Sequence, residues 1–174
     1  MDDTTLLSTL LQKAFRIAGE SVPLGFDVST IQPTLALLPA GPSTGLEQLF
    51  ASVWPSEVFH LGRIELFGPE RINYEHKELL PSCLIVKHGF LGIGSDGAGT
   101  IFGYCPEDGR VYLIPHEYVA EDAVYAKPWV EMQVTPANIK AISEESWDSI
   151  GKLFEWALAE LEMLENEGAS DSAK

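Results

Sequence analysis

Ser82–Val119 reads SCLIVKHGFLGIGSDGAGTIFGYCPEDGRVYLIPHEYV, and its patterning predicts three strands joined by two glycine-bearing turns. Cys83–Val86 is a short apolar run of the kind a buried strand shows. Gly99–Cys105 and Gly109–Ile114 are rich in β-branched and aromatic residues. Between them lies Pro106-Glu107-Asp108-Gly109, a four-residue hairpin loop in which Asp-Gly supplies the positive φ that the turn needs.

The same stretch contains Gly92-Ile93-Gly94-Ser95-Asp96-Gly97, a letter-for-letter match to G-x-G-x-x-G. In a dinucleotide site that motif must open a helix whose N-terminal N–H groups hold the pyrophosphate. The residues that follow are Ala98-Gly99-Thr100-Ile101-Phe102-Gly103-Tyr104, a poor first helical turn. The glycines are better explained as points where the chain turns tightly between strands. A nucleophile elbow at Ser95 also fails, because Ile93 stands where that motif requires glycine.

A chain of 174 residues is read as one domain, residues 1–167, followed by a flexible tail, residues 168–174. Lys and Arg total 11 against 26 Asp and Glu, a net charge of −15. That is well beyond the magnitude of about 2–8 that suffices for the solubility of a small domain. The charge argues against nucleic acid and against an anionic membrane surface as partners. It would attract and steer a basic protein, or it serves solubility alone. The opening Met1-Asp2-Asp3 lacks the positive charge of a secretory signal, and no apolar run approaches the ~20 residues of a membrane span. The expectation is a cytoplasmic protein with free thiols at Cys83 and Cys105, both read as small buried strand residues.

Outside the central stretch, residues 4–18 carry Leu6, Leu7, Leu10, Leu11, Ala14 and Ile17 at helical spacing, with Gly19 to stop the helix. Residues 21–45 are broken by prolines and glycines. Leu46–Val53 predicts a short helix with Thr44 near its cap, Val58–Phe67 a strand, and Glu70–Leu80 a polar mixed segment. Tyr118–Val134 has no clean period. Trp147, Ile150, Phe154, Ala157, Leu158, Leu161 and Leu164 repeat at i, i+3 and i+4, which predicts a long helix capped at Ser143.

Two candidate constellations, one for zinc and one for nucleophilic catalysis, lack the pattern their chemistry needs. Cys83, His88, Cys105 and His116 match no C-x2–4-C or H-x3–5-H zinc pattern. Ser95, Asp108 and His116 occur in triad order, but nothing beside them supplies an oxyanion hole. No catalytic residue, metal or cofactor is assigned. The residues assigned to a partner surface are the acidic loop residues Asp96, Glu107, Asp108, Glu117, Glu121 and Asp122 with the aromatics Tyr118, Tyr125 and Trp129. Aromatics ringed by charge are what a protein–protein hot spot needs. Against this stand two plainer roles: turn chemistry for Asp96 and Asp108, and core packing for the aromatics.

Three pieces together resemble the SMI1/KNR4 family, the SUKH superfamily: the Gly-rich GSDGAGTIFGYC, the following PEDGRVYLIPHEY, and the ending ISEESWDSIGKLFEWALAEL. The resemblance spans roughly residues 44–165, and Pro81 matches a proline that often precedes that family's central strand. In the first 45 residues, Leu38-Pro39 is followed by Ala-Gly-Pro, and the family's N-terminal signature is absent. The resemblance implies an α+β fold with a single mainly antiparallel sheet, a β-meander, packed against N- and C-terminal helices. It also implies no enzymatic activity. Bacterial members are commonly immunity proteins that bind and neutralise toxins, frequently nucleases. The expected partner here is therefore a basic toxin domain. The alternatives are a regulatory or scaffolding module of the same fold, and, more remotely, a small-molecule enzyme using the Gly92–Gly103 loop.

Overall fold

The computed structural model describes residues 3–120 and 123–171. In chain order its elements are α1 (Asp3–Ala18), a 3₁₀ turn at Val28–Ile31, α2 (Gln32–Leu35), α3 (Thr44–Ser52), β1 (Phe59–Leu61), β2 (Ile64–Leu66), α4 (Pro69–Glu78), α5 (Ser82–Ile85), a 3₁₀ turn at Val86–His88, β3 (Leu91–Ser95), β4 (Ile101–Cys105), β5 (Arg110–Ile114), a 3₁₀ turn at His116–Tyr118, β6 (Ala123–Ala126), β7 (Val130–Gln133), α6 (Pro136–Ile142), β8 (Ser146–Trp147) and α7 (Ile150–Asp171). Six strands form one antiparallel sheet in the order β1-β2-β3-β4-β5-β8, and β6 and β7 form a separate ribbon. This is the expected α+β class, with the N- and C-terminal helices packed on one another.

The meander is built one element later than the sequence suggests. Cys83–Val86 is helical, not a strand, so Pro81 precedes a helix and Cys83 is no strand residue. Four consecutive apolar residues satisfy a buried helical turn as well as a strand. The first meander strand is instead Leu91–Ser95, inside the G-x-G-x-x-G match. Its pairing with β4 skips from Gly92 to Gly94, which makes Ile93 a bulge. The glycines therefore serve two purposes. Gly97 and Gly99 take positive φ in the turn. Gly92 and Gly94 let other groups approach the strand: a Cβ on Gly94 would stand 2.7 Å from the Glu65 carbonyl oxygen of β2. After Gly97 the chain enters β4, not a helix.

Helices cover both faces of the sheet. Phe102 and Trp147 project to one side, where Trp147 meets Trp156 of α7 at 5.2 Å between rings. Gly92 faces the other side, towards His76 of α4 and Ser82 of α5. The core is strongly aromatic: Phe50, Trp54, Phe59, Phe67, Phe90, Phe102 and Phe154 are fully buried. Trp54 satisfies its indole N–H on the Phe67 carbonyl at 2.8 Å.

Other boundaries differ from expectation for local reasons. Ser43, not Thr44, caps α3 through its hydroxyl, which accepts from Leu46 N–H. Val58–Phe67 is a hairpin, with Gly62 at φ 61 in the turn. Glu70–Leu80 is largely helical, its period hidden because two of the buried residues of α4 are Glu75 and His76. Ser143 ends α6 and does not start the last helix; the hydroxyl of Ser149 accepts from Lys152 N–H there, and Trp147 belongs to β8. The expected tail overlaps the end of α7, which runs to Asp171, and residues 172–174 lie outside the described residues. No described helix is long and apolar enough to cross a membrane.

Candidate partner-binding surface

The meander places the assigned acidic loops at opposite ends. Ser95, Ile101 and Ile114 lie together at one end of the strands, and Leu91, Cys105 and Arg110 at the other. Strands of this length separate the two ends by roughly 13 Å. Asp96 is therefore remote from Glu107 and Asp108, and the nine assigned residues do not form one surface. Glu121 and Asp122 lie outside the described residues.

Asp96 and Asp108 are occupied by turn chemistry. Asp96 Oδ1 accepts from the N–H groups of Ala98 (2.8 Å) and Thr100 (3.1 Å). Asp108 Oδ1 accepts from Arg110 N–H at 3.0 Å, while its Oδ2 accepts from Tyr112 Oη (2.7 Å) and Lys140 Nζ (2.8 Å). Partial burial pushes the Asp108 carboxyl up, but the bonds from Lys140, Tyr112 and Arg110 outweigh it and hold it at about 2. Asp108 is thus an internal tie between the β4–β5 loop, β5 and α6, with its charge already neutralised. Asp108→Ala is expected to lower stability by about 1 kcal/mol after allowance for solvent screening. The folded pKa lies below the ordinary 3.8, so this contribution is present above pH 3.8 and fades as pH falls towards about 2. Urea midpoints of the variant and parent at pH 7 and pH 2 test this, with the difference closing at the lower pH.

The triad order in the sequence does not survive folding. The Asp108 carboxylate is engaged by Lys140 and Tyr112, and His116 Nδ1 stands 3.5 Å from Glu117 at the other end of β5. Among the zinc candidates, His88 and Cys105 border one groove and His116 lies beyond the far end of β5. No group of three His, Cys, Asp or Glu that could hold a metal is found among the described residues.

The aromatics do converge, around the β6–β7 ribbon. Tyr118 is buried and belongs to the core, Tyr125 is half-buried, and Trp129 is 66% exposed. Tyr118 and Trp129 hold their rings 5.5 Å apart, and Lys127 Nζ sits 5.1 Å over the Tyr118 ring. The bond to Tyr118, with Glu144 and Glu117 nearby, raises the Lys127 pKa. Trp129 is the one described non-glycine residue at positive φ, 49°, in the three-residue turn that joins β6 to β7. A bulky side chain pays roughly 1 kcal/mol for that conformation. Its neighbour Val130 is also exposed.

Among the described residues, no Lys or Arg forms an ion pair with Glu117, Glu131 or Glu144, and Glu117 lies 3.5 Å from His116. Lys13, Arg63, Arg71, Lys77, Arg110, Lys140 and Lys152 are each committed to carboxylates elsewhere. The exposed Glu117, Glu131 and Glu144 flank the ribbon, with Lys127 the cation set among them. Glu131 and Glu144 join this surface although neither is among the nine residues assigned to it. The signal for Glu131 is the alternation of Val130, Glu131, Met132 and Gln133, which marks a half-exposed strand, and no local pattern marks Glu144.

The fold and this surface define an α+β domain that carries an exposed aromatic ribbon in an acidic setting. A scan against protein-family models and searches of curated proteins and of solved structures returned no match.

Proposed function

We propose that this protein is a non-enzymatic protein-binding domain, an immunity protein of the SMI1/KNR4 type that neutralises a cognate basic toxin by occlusion. The observation that carries the proposal is Trp129, two-thirds exposed and held at positive φ beside Val130, with the carboxylates of Glu117, Glu131 and Glu144 around it. A large apolar side chain kept in water against a backbone penalty, on a chain of net charge −15, suits an anchor for a basic partner. For a nuclease toxin the carboxylates would stand in for the phosphate charge of its substrate. The Gly92–Gly103 segment supports binding over catalysis, since protein groups already fill the space beside Gly92, Gly94 and Gly103.

Trp129→Ala is expected to weaken binding to the product of the neighbouring gene, tested as the cognate toxin, about 30-fold, near 2 kcal/mol, while changing the melting temperature little. Titration calorimetry and thermal unfolding of the same two proteins measure both effects. Affinity should also fall as salt rises past physiological strength, where the screening length is about 8 Å. Full affinity in the alanine variant, or affinity indifferent to salt, would remove the basis for this function.

A further inference from the structure

We infer, building on the binding role proposed above, that the outer edge of β7 accepts an extended basic segment of the partner as an added antiparallel strand centred on Glu131.

The backbone of the ribbon carries the argument. The Ala123 carbonyl accepts from Ala120 N–H at 2.9 Å, and Val119 bridges Val124, so the outer edge of β6 is covered. The Ala123 carbonyl therefore points away from β7. In an antiparallel pair, hydrogen-bonded and non-hydrogen-bonded residue pairs alternate. Ala123 faces Gln133, and two residues along, Tyr125 faces Glu131. Both are then non-hydrogen-bonded pairs, and the N–H and C=O of Glu131 project outward from β7. The Gln133 carbonyl, which projects the same way, already accepts from Asn138 Nδ2 at 2.8 Å and closes the edge at that end.

Several of the usual protections of an open edge are missing here, and the charge of Glu131 is the one that β7 keeps. β7 contains no proline, lysine or bulge, and its register with β6 is unbroken. Val130, Glu131 and Gln133 are exposed. The six-stranded sheet offers less: its outer strands β1 and β8 are three and two residues long. A strand laid along β7 would gain main-chain bonds at the N–H and C=O of Glu131, with the Gln133 N–H beside them, and meet Trp129 and Val130 at the turn.

Charge selects the occupant. Two copies of this chain paired symmetrically about Glu131 would set like carboxylates against each other, which is destabilising. A segment with Lys or Arg opposite Glu131 forms the favourable cross-strand pair, and Glu117 and Glu144 add to its attraction.

The test uses the full chain, labelled with ¹⁵N, and the peptide acetyl-Lys-Val-Lys-Val-Lys-Val-Lys-amide. Saturating peptide is expected to shift the amide signals of Glu131 and Gln133 and to slow Glu131 amide exchange about tenfold. A peptide of equal charge with proline in place of each valine cannot form the ladder and should leave that exchange unchanged. Glu131→Lys should weaken the Lys-Val peptide about tenfold and admit a Glu-Val peptide in its place. Shifts confined to the Trp129 side chain, with Glu131 exchange unaltered, would overturn strand addition while leaving the ribbon as the contact surface. Shifts only away from the ribbon would overturn both. Glu131 protected in a dimer of the protein alone would overturn the choice of a basic partner.

Discussion

His76→Leu is expected to cost about 3 kcal/mol of stability at pH 7. His76 is 3% exposed. Its Nδ1 lies 2.7 Å from the Ile72 carbonyl and its Nε2 lies 2.8 Å from the Gly92 nitrogen. A carbonyl can only accept and a backbone N–H can only donate, which assigns the proton to Nδ1 and leaves Nε2 as acceptor. The neutral ring therefore joins α4 to β3 at the point where Gly92 leaves room for it. Leucine strands the buried Gly92 N–H, at about 1–3 kcal/mol, and fits the space poorly.

The same geometry makes stability depend on acid. Burial drives the His76 pKa from 6.5 to about 4, outweighing the opposing bond to Ile72. The unfolded chain binds the proton first as pH falls, so stability is full above pH 6.5 and declines towards about pH 4, by roughly 3 kcal/mol from this group. Glu75 works in the other direction. Burial raises its pKa against the pull of Arg71, 2.7 Å away, and Ser82, with Glu65 adding to the rise. Its contribution to stability therefore falls as pH rises through its folded pKa. His76→Gln, which cannot titrate, separates the two. Urea titrations from pH 7 to pH 4 should show the parent losing about 3 kcal/mol more than the variant. Parallel curves would show that the imidazole is not held neutral by this site.

Gly94→Ala is expected to destabilise the protein by about 3 kcal/mol, at the upper end of what one added methyl does in a packed interior. The new Cβ would stand 2.7 Å from the Glu65 carbonyl oxygen and 3.3 Å from Ile64 Cγ2. The closest obstacle is strand backbone that the β2–β3 pairing holds in place, so relief requires the strands to part. Gly97→Asn is the matched control. Gly97 has φ 76 and open space around its Cβ position, and asparagine tolerates that conformation, so less than about 1 kcal/mol is expected. Urea midpoints of the two variants measure the contrast. If Gly94→Ala unfolds with the parent, the sheet does not approach that strand as described.

These two sites show where sequence and tertiary structure divide. Gly92-Ile93-Gly94 cannot be told from a turn by local pattern, because its glycines answer to His76, Ser82 and Glu65, which arrive from other elements. α4 reads as a polar mixed segment because the face it buries includes Glu75 and His76, polar groups that become acceptable inside only once Arg71, Ser82 and Gly92 N–H are in place. Trp147 kept helical spacing with Ile150 yet pairs with Val111, since a strand edge was available to it before α7 begins. Among the surface candidates, Asp108 was drawn inward by Lys140 and Tyr112, residues 32 and 4 positions away.

What the sequence determined by itself is whatever rests on neighbours along the chain. The Asp108-Gly109 hairpin, the amphipathic first and last helices and the acidic character follow from turn chemistry, periodicity and charge within a few residues, while the α+β class was what the family resemblance implied. Only the tertiary structure decided which apolar run became β3, which carboxylates were neutralised, and that Trp129 and Glu131 remain in water at an open edge. Those outcomes depend on groups brought together from distant parts of the chain, and local pattern carries no record of who the neighbour will be.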